Sequence, residues 1–195
     1  MTSLGLVETR SIAFGIGLTD AMVKHTDIHL IRAATICSGR FLILVSGDRA
    51  AVGEAIDVAN ETKEKLFACH LISRVSEQVM AALSHRTVAV EKGAIAILEC
   101  RNVVSGIRAA DVAVKAAAVS LVKLVCGQSI NGKSYFLLAG EVADVEAGAE
   151  AAVQMLGKDL LEQMIIPSPD AVLLDTVIPG GGRGYGEQKS ITRAP

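Results

Sequence analysis

The chain has no tryptophan, and its aromatic content is only 3%. Without stacking rings it offers no platform for the bases of single-stranded nucleic acid. Neither sign of charge dominates: 19 Lys and Arg stand against 21 Asp and Glu, for a net charge of −2. No basic run stands out, so a phosphate-backbone footprint is lacking. No apolar stretch reaches membrane-spanning length without a charge, and Glu8 and Arg10 interrupt what would have to be the apolar core of a secretory signal. These absences predict a cytoplasmic protein with no nucleic-acid and no membrane partner. Cys37, Cys69, Cys100 and Cys126 lack CxxC spacing, which argues against a zinc knuckle or a disulfide framework. His25, His29, His70 and His85 are scattered, and none joins a Cys or Ser and a carboxylate in a recognisable catalytic arrangement. The chain does not read as an enzyme.

What the chain does have is apolar bulk and a repeat. Hydrophobic residues make up 51% of it, mostly Ala, Val, Ile and Leu, which suits helix-on-sheet layers and flat subunit contacts. The segment Leu6 to Ile16 returns as Ile97 to Ile107, and Asp20 and Lys24 return as Asp111 and Lys115 at the same spacing. A period this long is a duplicated domain and not a solenoid unit. The division expected is residues 1–88, residues 92–178 and a flexible Gly-rich tail over 179–195. Each copy reads strand, helix, hairpin, helix, strand, then a short helix. That order predicts an α+β fold of two antiparallel sheets with helices. In the first copy the expected strands are 4–10, 28–36, 41–46 and 66–72. The expected helices are one capped by Thr19 or Asp20 and ending near His25, one over 50–65, and one over 76–83. In the second copy strands are expected over 95–101, 119–126, 135–139 and 161–166, a helix over 142–156, and a short helix opened by Pro167 to Asp170.

The copies differ in the hairpin turn. The first reads Ile36-Cys37-Ser38-Gly39-Arg40, and the second carries two more residues in Gln128-Ser129-Ile130-Asn131-Gly132-Lys133. Gly127 to Ser134 also matches the phosphate-loop pattern GxxxxGKS. That motif needs a helix immediately after it, and the strand-like Tyr135 to Ala139 follows instead, so a hairpin loop is the plainer reading. Cys69, Cys100 and Cys126 lie in apolar strands and read as buried. Cys37 lies in a turn and reads as exposed. The recurrence of Glu8 as Glu99 reads as a repeated structural hydrogen-bonding role.

The start Gly5 to Thr9, the helix Asp20 to Lys24, the turn Thr35 to Gly39 and Gly47-Asp48 resemble the shell proteins of bacterial microcompartments. The second copy carries the counterparts Ala96 to Glu99, Asp111 to Lys115, Asn131 to Lys133 and Gly140 to Val142. The likeness covers residues 4 to 178 and is greatest to the tandem-domain, propanediol-utilisation type, in unpermuted order. The resemblance implies two tandem ferredoxin-like microcompartment domains. It implies a homotrimer that imitates a hexamer, tiles with other shell proteins and lines a central pore with its hairpin turns, from Ile36 to Arg40 and from Gln128 to Lys133. It places Lys24 and Lys115 at the tile edges, with Arg74 a substitute for the edge arginine of the family. It also implies that Cys37, one per subunit on the threefold axis, holds an iron–sulfur cluster of the [4Fe-4S] type, with an encapsulated redox enzyme as a possible partner. The alternatives are a cluster-free pore in which Arg40 and Lys133 favour small anions or polar solutes, and a trimeric ferredoxin-like small-molecule sensor.

Overall fold

The structure is a computed structural model that describes residues 2–84 and 93–178. The join between the copies, apart from Gly93, and the Gly-rich tail lie outside the described residues. The first copy runs β1 (Ser3–Thr9), α1 (Ile12–His25), β2 (His29–Ile36), β3 (Arg40–Gly47), α2 (Arg49–Asn60), β4 (Leu66–Ile72) and α3 (Glu77–Leu83). The second runs β5 (Ala94–Cys100), α4 (Val103–Ala116), β6 (Ser120–Cys126), β7 (Ser134–Gly140), α5 (Val142–Leu156), β8 (Leu160–Ile166) and α6 (Ala171–Val177). Each copy builds one antiparallel sheet, in the orders β2-β3-β1-β4 and β6-β7-β5-β8. The same irregularity interrupts both hairpins, at Leu30/Arg32 and at Leu121/Lys123. The expected α+β fold with two tandem domains is what the chain adopts.

Most strand boundaries shift by a single residue, and the larger departures from expectation are at helix ends. Helix α1 begins a full two turns earlier than Thr19, because Ser11 takes an extended conformation and accepts the Phe14 amide. Its counterpart Asn102 does the same for Ser105 at 2.7 Å. Helix α2 stops at Asn60, and a short 3-10 turn over Lys63–Lys65 delivers the chain into β4. At α6 the cap is Asp170, which accepts the Val172 amide at 2.8 Å, so no proline opens the helix. Asp48 caps α2 as the Gly47-Asp48 pair suggests, accepting the Ala50 and Ala51 amides.

Strand alternation gives each sheet two apolar faces. In the first sheet, Val7, Phe41, Ile43 and Val45 face that domain's own helices, with Leu18, Met22, Val52, Ala55 and Ala59. On the opposite face Leu4, Leu6, Leu42, Leu44 and Ile72 are also fully or nearly fully buried. They join Val103, Val104 and Ile107 of α4 in one continuous core. Helix α4 is thus sandwiched between its own sheet and the outer face of the other. Each fully buried Leu or Ile stabilises by about 1.5–3 kcal/mol, so this apolar seam outweighs any single polar contact across the junction. Among the described residues, α6 covers the outer face of the second sheet, through Leu174 and Ile178 against Ile95, Val122, Leu137 and Ala139.

Close packing explains two repeated glycines. A Cβ on Gly15 would stand 2.6 Å from Phe41, and one on Gly106 would stand 2.0 Å from the Ser134 hydroxyl. Helices α1 and α4 therefore lie directly on β3 and β7.

Candidate functional site

The two hairpin turns come together at one end of the molecule. The Cys37 amide donates to the Gly127 carbonyl at 3.1 Å, and the Ser38 hydroxyl donates to the Asn131 side-chain oxygen. The amide of Ser129 donates to the Cys37 Sγ at 3.1 Å. Such crowding needs left-handed backbone, supplied by Gly39, Gly127 and Gly132 and also by Ser38, Ser129 and Asn131. Gly132 has a second reason to be glycine: a Cβ there would strike the Arg40 guanidinium at 1.9 Å.

The Cys37 thiol is half-exposed. Desolvation is the largest single influence and pushes its pKa up, but the amides of Ser129, Ile130, Asn131 and Gly132 together outweigh it and hold the thiol below its ordinary 9.0. The longer turn of the second domain therefore forms an amide cradle for the thiolate of the first. The other cysteines are strand residues. Cys100 and Cys126 are buried, each with a pKa pushed up by burial to about 12; Cys69 is partly buried, at about 11. Among the described residues no three His, Cys, Asp or Glu side chains cluster as a metal site.

Around the turns, Ser38, Gly39, Gln128, Ser129 and Asn131 are exposed, and Ile130 and Lys133 partly so. Ile36 and Arg40 are not. Ile36 packs on Gly127, where a Cβ would be 2.8 Å from its methyl group. Arg40 is committed to three partners: Glu8 at 2.8 Å, the Gly132 carbonyl at 2.8 Å, and the Phe67 ring at 4.1 Å from its centroid. This corrects the expectation of a free Arg40 cation at a pore. Lys133 is also paired, to Glu99 at 2.7 Å. The phosphate-loop pattern at Gly127 to Ser134 leads into strand β7, so the helix it would need is missing.

The recurrent glutamates have the structural role expected of them, with one addition that the sequence did not reveal. Glu8 accepts the Val104 amide at 2.8 Å and so caps the first turn of a helix in the other domain. Its signal was the repetition itself, but a repeat does not say across which boundary a carboxylate reaches.

The expected edge residues fall in two places. Lys24 is exposed and pairs with Asp20 at 2.7 Å. Lys115 pairs with the buried Asp111, which also accepts the Ser76 amide at 2.7 Å. Lys115 and Arg74 line one open cleft of about 1060 Å³ beside α3, and Lys24 is not part of it.

Equivalent residues of the two copies differ sharply in exposure. Ile12, Ile16 and Leu30 are 38%, 57% and 38% exposed, whereas their counterparts Val103, Ile107 and Leu121 are 0%, 0% and 2% exposed. The second domain's helix face is covered by the first domain; among the described residues nothing covers the first domain's to the same degree.

The BMC domain family matches the chain at residues 3–75 and again at 94–169. The bacterial microcompartment shell protein PduT of Citrobacter freundii is 32% identical over 181 residues, covering 91% of this chain and 98% of PduT. The carboxysome assembly protein CcmO of Synechococcus elongatus is 29% identical over 196 residues, covering 90% of this chain and 68% of CcmO. A crystal structure of a microcompartment protein from Desulfitobacterium hafniense has a TM-score of 0.80 at 36% identity, covering 89% of this chain and 98% of that one. No helix among the described residues is long and apolar enough to cross a membrane. Matched twice by one domain family and along nearly all its length by a shell protein, the chain belongs to the BMC domain family as a tandem-domain homologue of bacterial microcompartment shell proteins.

Proposed function

We propose that three copies of the chain close into a flat, six-domain tile of a microcompartment shell, with the paired hairpin turns around a central pore. The observation that carries this reading is the unequal exposure of the two helix faces. Helix α4 fills the outer face of the first sheet within the chain, while the matching face of α1 is exposed and the second sheet's outer face holds α6 of the same chain, which gives way to α1 of a neighbour in the tile. Pairing them between copies is head-to-tail, which closes into a ring where the rotation permits. Short and long turns then alternate around the axis, as they already adjoin within one chain. Lys24, Lys115 and Arg74 stand at the tile perimeter, where other shell proteins dock. Electron microscopy of the purified protein tests the tile: sheets or tubes support it, and a discrete soluble trimer favours a sensor instead.

Three Cys37 thiols on the axis suit an iron–sulfur cluster. The chemistry of the donor fits, because the thiol is half-exposed and four backbone amides favour its ionised, ligating form. A bound cluster would supply one-electron transfer across the shell, to or from an encapsulated redox enzyme. The chain's own part is to hold one thiolate on a fixed turn and let symmetry bring the others. Anaerobic reconstitution tests it by visible absorption and paramagnetic resonance. Colour lost in Cys37→Ser and kept in Cys100→Ser supports the cluster, and no signal in the wild type overturns it.

A second reading has its own support. Both cations near the turns are already paired, so a cluster-free pore would present the neutral groups of Ser38, Gln128, Ser129 and Asn131. Such a pore suits small uncharged polar metabolites and not anions. No part of the reading requires a catalytic residue.

A further inference from the structure

Resting on the tile reading above, we infer that α6 is an autoinhibitory plug. In the free chain it covers the face of the second sheet that docks a neighbouring copy. Lys123 latches it there, and its release sets the concentration at which copies join. Strand register fixes the equivalences. Leu44 stands opposite Leu6 and Arg32, and Leu137 stands opposite Ile97 and Lys123, so Leu44 and Leu137 are the same place on the two sheets. Leu4 and Ile95 are a second such pair, opposite Ser46 and Ala139. Leu4 and Leu44 belong to the core that contains Val103, Val104 and Ile107 of α4. Ile95 and Leu137 belong to the cluster that contains Leu174 and Ile178, at the end of the chain's second copy. The same sheet positions are therefore covered by another domain's long helix in one copy and by the sheet's own terminal helix in the other. Two such covers cannot share one close-packed face.

The chain displays both positions of the terminal helix. Helix α3, which follows β4 as α6 follows β8, reaches out to the other domain. Its Gln78 donates to the Val119 carbonyl at 3.0 Å and accepts the Leu121 amide at 2.7 Å. The Ser76 amide at its cap donates to Asp111 of α4 at 2.7 Å. Helix α6 instead folds back on its own sheet. Lys123 of β6 donates to the Val177 carbonyl in its last turn, a cation bonded to a helix C-terminus. The connections explain the divergence. Arg74, between β4 and α3, is left-handed, with φ 54°. Among the described residues no left-handed position lies between β8 and α6. There Ser168 precedes Pro169, and a residue before proline favours extended backbone.

The two covers compete on unequal terms. Helix α6 has seven residues, whereas α1 has fourteen and exposes Ile12 and Ile16 where α4 carries the buried Val103 and Ile107. The plug has the advantage of its tether, the short run from Pro167 to Asp170, and α1 has the advantage of area. In dilute protein the tethered helix keeps Ile95, Val122, Leu137 and Ala139 out of water. As chains accumulate, the longer helix displaces it, so a two-state element couples assembly to supply.

Leu174→Ser tests the plug, because Leu174 lies on α6 and its replacement leaves the docking face itself unaltered. Sedimentation of the full chain over a dilution series gives the concentration at which half of it is trimeric. In Leu174→Ser that midpoint is expected to fall at least about tenfold below the wild type, as the closed state loses a buried leucine. Lys123→Met, which deletes the latch, should lower it too, and decides the matter if the first variant precipitates. A wild type that stays monomeric while Leu174→Ser forms trimers supports the plug and the tile together. An unchanged or raised midpoint overturns the plug and leaves the tile standing. If the wild type and both variants stay monomeric at every concentration, the tile reading falls and the plug with it.

Discussion

Glu8 and Arg40 form a 2.8 Å ion pair in which the Glu8 side chain has no solvent exposure and the Arg40 side chain 8%. The pair is made by two strands of the first domain, yet each partner also reaches the second. Glu8 takes the Val104 amide, and Arg40 gives to the Gly132 carbonyl. It is therefore the fastening between the domains as much as an ion pair within one.

Breaking the pair from one side strands a buried charge. Arg40→Met is expected to destabilise the protein by about 3–5 kcal/mol in denaturant unfolding, because Glu8 keeps its desolvation and loses its counter-ion. Glu8→Gln combined with Arg40→Met should recover much of that loss. A single-variant cost below about 1 kcal/mol would mean that the pair is solvated in solution.

The same burial sets a pH dependence. Desolvation raises the pKa of Glu8 above its ordinary 4.5, against the lowering effect of the Val104 amide, Arg40 and the Val103 amide. The folded state then holds a proton that the unfolded chain releases, over the interval between the ordinary value and the raised one. Stability falls as pH rises through that interval and is larger below it. Thermal melts of the wild type minus those of Glu8→Gln should show this slope; a difference that is flat above pH 4.5 would refute it.

Thiol reactivity should separate the cysteines. Cys37 is expected to alkylate in the native protein with a midpoint below 9.0, while Cys100 and Cys126, pushed up to about 12 and buried, stay unmodified. Mass spectrometry of iodoacetamide-treated protein across pH reads this directly.

Glycine substitutions should divide by what surrounds them. Gly106→Ala drives a methyl group into the Ser134 hydroxyl and should cost at least about 1–3 kcal/mol. Gly53→Ala in α2 has nothing within 4 Å of the new carbon and should gain about 1 kcal/mol from helix propensity. Denaturant midpoints of the two variants decide it.

Much of the fold was readable because the repeat offers two independent views of each element. β4 was placed to the residue, as was α5, and the two extra residues of the second hairpin fall where the offset changes. Helix α1 was misread at its start because Ile12, Ala13 and Phe14 look strand-like after β1. The deciding feature is the extended conformation of Ser11, which composition does not encode. Arg40 was misread for a different reason. A charge in a turn usually faces water, and only the register of β3 on β1 turns it toward Glu8. The cradle at Cys37 was out of reach altogether, since its donors lie about ninety residues away and act through left-handed backbone at Ser129 and Asn131.

The contact between Glu8 and the first turn of α4 is made by one polypeptide. In a ring of three such chains, half of the junctions are therefore closed at an effective concentration that the chain itself sets, on the order of mM or above, whatever the cell's supply of protein. Assembly becomes a meeting of three bodies in place of six, and dilution dissolves the ring with a correspondingly gentler dependence. The fusion also fixes composition. No ring can form with two short turns side by side, so every opening in such a layer would carry the same alternation, without any proofreading of subunit order.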